Sequence, residues 1–158
     1  MTADAMTETV DHAGVERLQR AYADVVNRRD WPALADLFTP DAVIDLDLVT
    51  AEPHRIVGPA TLGDFVGGAI ERFSFFQFVI LNSHVELWPE GDPDAATARV
   101  FMCELRQTAG ETARNDAFGL YRDRYVRVDG RWLFAHRRYR SMGRFPPGDT
   151  FPLPADLT

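Results

Sequence analysis

Asp123 and His136 are a carboxylate and an imidazole that one hairpin would bring together. Between them lies Asp129-Gly130, a dipeptide suited to the positive backbone angles of a two-residue β-turn. If that turn forms, Val128 faces Arg131, and every later pair follows from it. Asp123 then lies opposite His136, Tyr121 opposite Arg138, and Tyr125 opposite Phe134, all on the face of Trp132. The other face carries Arg122, Arg124 and Arg137, with Arg122 opposite Arg137, a like-charge pair that belongs in solvent. The Trp132 face is therefore expected to be interior. An interior Asp123 would orient the His136 imidazole, raise its basicity and leave its second nitrogen to move a proton. The structural alternative is a hydrogen bond that only pins the sheet.

Other residues could serve such chemistry. Tyr22 sits on an apolar stripe, where a phenol can polarise a carbonyl or satisfy itself on the backbone. Asn27 can hold a carbonyl or finish a helix. Phe78, Ile80, Asn82 and His84 share a face if no bulge intervenes, so Asn82 and His84 could be polar contacts in an apolar cavity. Tyr121 and Arg138 would join them from the hairpin. Asp45 and Asp47 read as solvent-facing or paired with sheet arginines. His12 and His54 earn no role. Cys103, the one cysteine, lies in an apolar run and reads as a small core residue. No metal-ligand spacing, phosphate loop, dinucleotide fingerprint or serine elbow is present, so neither metal nor cofactor is expected.

The elements that must position these groups are legible in the pattern. Residues 1–10 are polar and expected to be loose. Val15, Leu18, Tyr22, Val25 and Val26 recur at helical spacing. Pro32 opens a second expected helix over 32–38. Residues 42–49 alternate as a half-buried strand, and Thr61 is placed to cap a helix running to about Arg72. Strands are expected over 76–88, with a bulge as one way to bend it, and over 95–107, 116–128 and 131–141. From Arg144 onward the chain is proline-rich and patternless. Helices first and antiparallel strands after mark an α+β domain over 11–143, a curved antiparallel sheet wrapped round a pocket as a cone.

The net charge of −7 argues against nucleic acid and anionic membrane surfaces. No apolar run approaches the roughly 20 residues of a bilayer span, and no signal pattern opens the chain, which leaves the cytoplasm as the expectation.

Three stretches together resemble SnoaL-like proteins of the nuclear transport factor 2-like superfamily, with their scytalone and bile-acid dehydratase relatives. They are Tyr22 through Trp31 with Leu34 and Leu37-Phe38, Pro40 through Asp45, and Gly119 through Tyr125 with Asp129 through Trp132. The resemblance implies a cone-shaped domain, a homodimer or higher homo-oligomer, no metal, and acid/base chemistry on small hydrophobic, carbonyl-bearing molecules of polyketide, steroid or aromatic type. It also marks departures. Asn27 stands where the dehydratases carry an aspartate, Phe78 (or, with a shift of register, His84) where they carry a histidine, and Leu46 where scytalone dehydratase presents a tyrosine. Tyr22 matches the tyrosine of the bile-acid dehydratases. The enzyme reading assigns His136 as base, held by Asp123, with Tyr22, Asn27 or Arg138 on the enolate oxygen. The rival is a non-catalytic ligand-binding or structural subunit, similar to the small subunit of ring-hydroxylating dioxygenases.

Overall fold

The computed structural model describes residues 3–157. Helix α1 (Ala3–Arg28) buries the expected stripe, Val15, Leu18, Tyr22, Val25 and Val26. It begins well before the expected residue: residues 3–10 are helical and residues 4–10 mostly exposed, while Met1 and Thr2 lie outside the described residues. It ends where Arg29 turns to a positive φ of 56°. The expected helix over 32–38 is a short 3-10 turn, Trp31–Asp36. Its length is limited by Phe38, which is already extended and stacks on Phe134 at 4.7 Å.

Strand β1 (Phe38–Asp47) and the short β2 (His54–Val57) lead into α2 (Pro59–Ile70). The residue before α2 is Gly58 at φ 84°, with Pro59 in the first turn, so Thr61 lies inside the helix and does not cap it. Four long strands follow: β3 (Phe73–Leu87), β4 (Ala95–Thr108), β5 (Asp116–Val128) and β6 (Arg131–Phe145). The tail is not patternless. β7 (Asp149–Thr150) pairs with β6, and a 3-10 turn spans Ala155–Leu157.

The sheet runs β2-β1-β6-β5-β4-β3 and stays open, with β2 and β3 at its edges. It is mixed, not purely antiparallel: β1 runs parallel to β6, because the chain enters the sheet once before the helix α2 and returns last along the same strand. The concave side holds α1 and one aromatic cluster. Tyr22 packs edge-on to Phe38, Phe78, Tyr121 and Phe134 at centroid separations of 5.6 to 6.5 Å. Such contacts add to the area they bury. No helix among the described residues is long and apolar enough to cross a membrane.

Bulges decide which side chains face inward. In β3 the pairing slips at Leu81; in β6 it slips at Ala135 and again near Met142. Each extra residue exchanges the two faces beyond it. On the convex side, Arg99, Arg122 and Arg138 stand directly opposite one another across β4, β5 and β6. Asp156 of the tail accepts a hydrogen bond from Arg122 there.

Candidate active site

The Asp129-Gly130 turn forms as expected, both residues at positive φ, and Val128, Arg127, Val126 and Tyr125 pair with Arg131, Trp132, Leu133 and Phe134. Ala135 then goes unpaired. Beyond it Arg124 faces His136, Asp123 faces Arg137, Arg122 faces Arg138 and Tyr121 faces Tyr139. The expected Asp123–His136 dyad is therefore replaced. Arg137, expected outside, turns inward, and His136 and Arg138, expected inside, turn outward. His136 meets a different carboxylate, Asp45 of β1, with Nε2 to Oδ2 at 2.8 Å. Arg55 donates to that same carboxylate at 2.6 and 3.2 Å. The Arg55 bond first, and His136 after it, hold the Asp45 carboxyl below the usual carboxylate range. This pair lies on the convex side, away from the cavity.

Asp123 and Arg137 form the buried centre instead. Arg137 Nε and Nη2 donate to the two Asp123 oxygens at 2.8 and 2.7 Å, with both residues under 4% exposed. The guanidinium carbon lies 3.9 Å from the Tyr121 ring centre, 4.2 Å from Tyr22 and 4.4 Å from Phe134. Asp123 accepts a third bond, from the Tyr125 hydroxyl at 2.9 Å. Tyr125 in turn accepts from Gln19 Nε2 at 2.9 Å, and Gln19 Oε1 accepts from Ser83 at 2.7 Å. Every donor in this chain points toward Asp123, so the carboxylate is fixed, and through it the arginine. Burial alone would depress the Arg137 guanidinium, but Asp123 outweighs it and holds the group charged. Its Nη1 has no hydrogen-bond partner among the described residues.

Arg137 is one of the residues lining a cavity of about 430 Å³ inside the cone, with Nη1 itself fully buried. The cavity's apolar wall comes from β1 and α2, including Ile44, Leu46, Leu62, Val66 and Ile70. Its polar wall comes from Tyr22, Tyr121, Tyr139, Arg137, Glu104 and Arg106. Glu104 stands one inward step beyond Met102 on β4, beside Arg106, whose Nη1 donates to Oε2 at 3.1 Å. Desolvation pushes the Glu104 carboxyl above the ordinary range, against the pull of Arg106. The same burial raises Tyr22 and Tyr121, and raises Tyr139 to about 12. Glu104 adds to all three shifts, so its charge acts on each phenol. A carboxylate poised to take a proton thus shares one cavity with phenols and a guanidinium able to donate hydrogen bonds to a developing oxyanion.

The remaining expected contacts divide. Leu46, Tyr22 and Tyr121 line the cavity. Phe78 is buried against the Tyr22 ring, behind the wall. Asn27 is spent on structure: its Nδ2 donates to the Phe78 carbonyl at 2.9 Å and its Oδ1 accepts from the Phe78 amide at 2.7 Å. Asn82 and His84 leave the cavity face because the Leu81 bulge turns them to solvent, where His84 lies 3.4 Å from Glu86. Arg138 is exposed on the convex side. Glu104 and Arg137 were missed. Glu104 carried a signal, a carboxylate in phase with the buried Ala98, Val100 and Met102 of its strand.

Residues 7–138 match the SnoaL-like domain family. Among solved structures, a candidate scytalone dehydratase from Novosphingobium aromaticivorans DSM 12444 superposes with a TM-score of 0.74 at 20% identity, covering 96% of this chain and 94% of that one. The hexachlorocyclohexane dehydrochlorinase LinA-type3 from Novosphingobium barchaimii LL02 gives 0.75 at 18%, covering 95% and 99%. The Kfla4162 protein from Kribbella flavida gives 0.74 at 18%, covering 87% and 94%. No curated protein matches the sequence. With five-sixths of its length matched and the same cone in each of these structures, the chain belongs to the SnoaL-like domain family of the nuclear transport factor 2-like superfamily.

Proposed function

We propose that the chain is an acid/base enzyme that needs no cofactor and acts on a small hydrophobic, carbonyl-bearing molecule. Glu104 takes a proton from the carbon beside the carbonyl. The Arg137 guanidinium, with the Tyr22 and Tyr121 hydroxyls, stabilises the enolate oxygen that forms. Isomerisation, cyclisation or elimination would each begin with this step. The observation that carries the reading is the coexistence, in one mostly apolar cavity, of a carboxyl raised by desolvation and an unpartnered buried guanidinium nitrogen. The dehydrochlorinase and dehydratase descriptions of the structural neighbours agree with an eliminating or proton-moving site in this fold.

His136 has no part in this step, because it lies outside the cone. The open cavity also favours this reading over a structural subunit whose cone is filled by its own side chains. The test is deuterium uptake from heavy water into 2-tetralone, followed by proton NMR. General-base catalysis contributes about 10²- to 10⁴-fold, so Glu104→Gln is expected to lose at least about a hundredfold of the exchange rate. His136→Ala is expected to keep it. Equal exchange by wild type and Glu104→Gln would refute the assignment.

A further inference from the structure

The cavity's own charge names a substrate class, on the assumption that the proposed site is where substrate binds. Its wall contains four arginines, Arg72, Arg106, Arg137 and Arg144, and a single acidic residue, Glu104. This is a strongly positive lining in a chain of net charge −7. Arg137 is neutralised from behind by Asp123, and Arg106 by Glu104. The other two have no acidic partner among the described residues.

Arg72 follows α2 at the opening, exposed, with its guanidinium carbon 4.9 Å from the Phe73 ring centre. Arg144 reaches the opening from the end of β6. Its Nη1 and Nη2 donate only to neutral oxygens, Thr50 Oγ1 at 3.0 Å and the Leu48 carbonyl at 3.1 Å. Those two bonds hold the guanidinium in place without cancelling its charge. Beyond them the wall is apolar on the β1 and α2 side and carries Arg106, Glu104, the phenols and Arg137 on the other. A neutral apolar molecule needs no cations at the entrance, whereas an acid-bearing one gains from both.

We propose that the substrate is an organic acid: an apolar body fills the cone with its carbonyl toward Tyr22, Tyr121 and Arg137, and a carboxylate-type anionic group rests between Arg72 and Arg144 at the mouth.

Two fluorescent probes with one ring skeleton test this, 8-anilinonaphthalene-1-sulfonate and the neutral N-phenyl-1-naphthylamine. Both are titrated into the full chain. The anionic probe is expected to bind more tightly, by up to about twenty-five-fold, since a well-placed exposed ion pair is worth up to about fivefold and there are two. Arg72→Gln and Arg144→Gln should each weaken the anionic probe by up to about fivefold and leave the neutral one unchanged. Val66→Trp, which fills the apolar wall, should expel both; an anionic probe that stays bound to this variant is sitting on the convex arginines, and the proposal fails. It fails equally if the two probes bind alike or if the arginine variants shift both together. Circular dichroism of each variant checks its fold. Turnover plays no part in the readout, so a failure here leaves the Glu104 assignment standing, and a Glu104→Gln variant that exchanges as fast as wild type leaves this one standing.

Discussion

All four tyrosines of the chain, Tyr22, Tyr121, Tyr125 and Tyr139, sit where ionisation is opposed, and desolvation is the first cause for each. Tyr125 is also pushed up by the Asp123 carboxylate, whose bond it donates. Raising the pH is therefore a perturbation with a calculable effect. For a phenol whose pKa is higher folded than unfolded, the unfolded chain binds fewer protons between the two values, so stability falls with pH across that window. For Tyr139 the window runs from 10.0 to about 12. At roughly 1.4 kcal/mol per unit, that one residue removes a little under 3 kcal/mol by the top of the window. The other three act in the same direction, and a domain holds only about 5–15 kcal/mol in total. The folded state should thus fail before its phenols titrate one by one. Absorbance at 295 nm reads tyrosinate, and far-ultraviolet circular dichroism reads the fold. Near pH 10.5 fewer than one of the four phenols should be ionised, and the rest should appear in one steep step that coincides with loss of the dichroism signal. If two or more phenols titrate near 10 while the dichroism stays native, the cavity is wetter than argued and the Glu104 reasoning falls with it.

Asp123→Ala leaves the Arg137 charge buried among three aromatic rings and should cost about 3–5 kcal/mol in urea unfolding. Asp123→Leu combined with Arg137→Met should cost markedly less, and equal losses would mean the pair is not buried as described. Gly119→Ala places a methyl 2.2 Å from Tyr139 Cε2; the ring must move, so Tyr139 should become accessible to nitration while the fold survives. Asn27→Asp removes a donor to the Phe78 carbonyl and should destabilise by roughly 0.5–1.5 kcal/mol, measured as a fall in urea midpoint. An unchanged midpoint would show the α1–β3 clamp carries no load.

The architecture was readable because it rests on period. The α1 stripe, the Asp129-Gly130 turn and the succession of strands along the chain all follow from apolar spacing and turn chemistry, which act locally. The site was readable only in part, because its geometry depends on residues that break the period. Ala135 and Leu81 are unremarkable in type, yet each reverses every side chain beyond it. One such reversal exchanged Arg137 with His136, and the other sent Asn82 and His84 outside. Tyr22, Tyr121 and Leu46 survive because no bulge separates them from the segments that fixed their facing. The parallel β1–β6 pairing was hidden for another reason: no short sequence signal marks a contact between residues about ninety apart in the chain.

The convex arginine row carries a practical corollary. Arg99, Arg122 and Arg138 repel one another across neighbouring strands; Glu86 pairs with Arg99, and Asp156 is the counter-charge the tail brings to Arg122. Trimming the chain ahead of residue 156 would take away one negative charge by count, yet uncover a cationic stripe on a molecule that is acidic as a whole. Such a shortened chain should cling to a cation-exchange resin far longer than its nominal pI suggests, and its solubility should become sensitive to added salt.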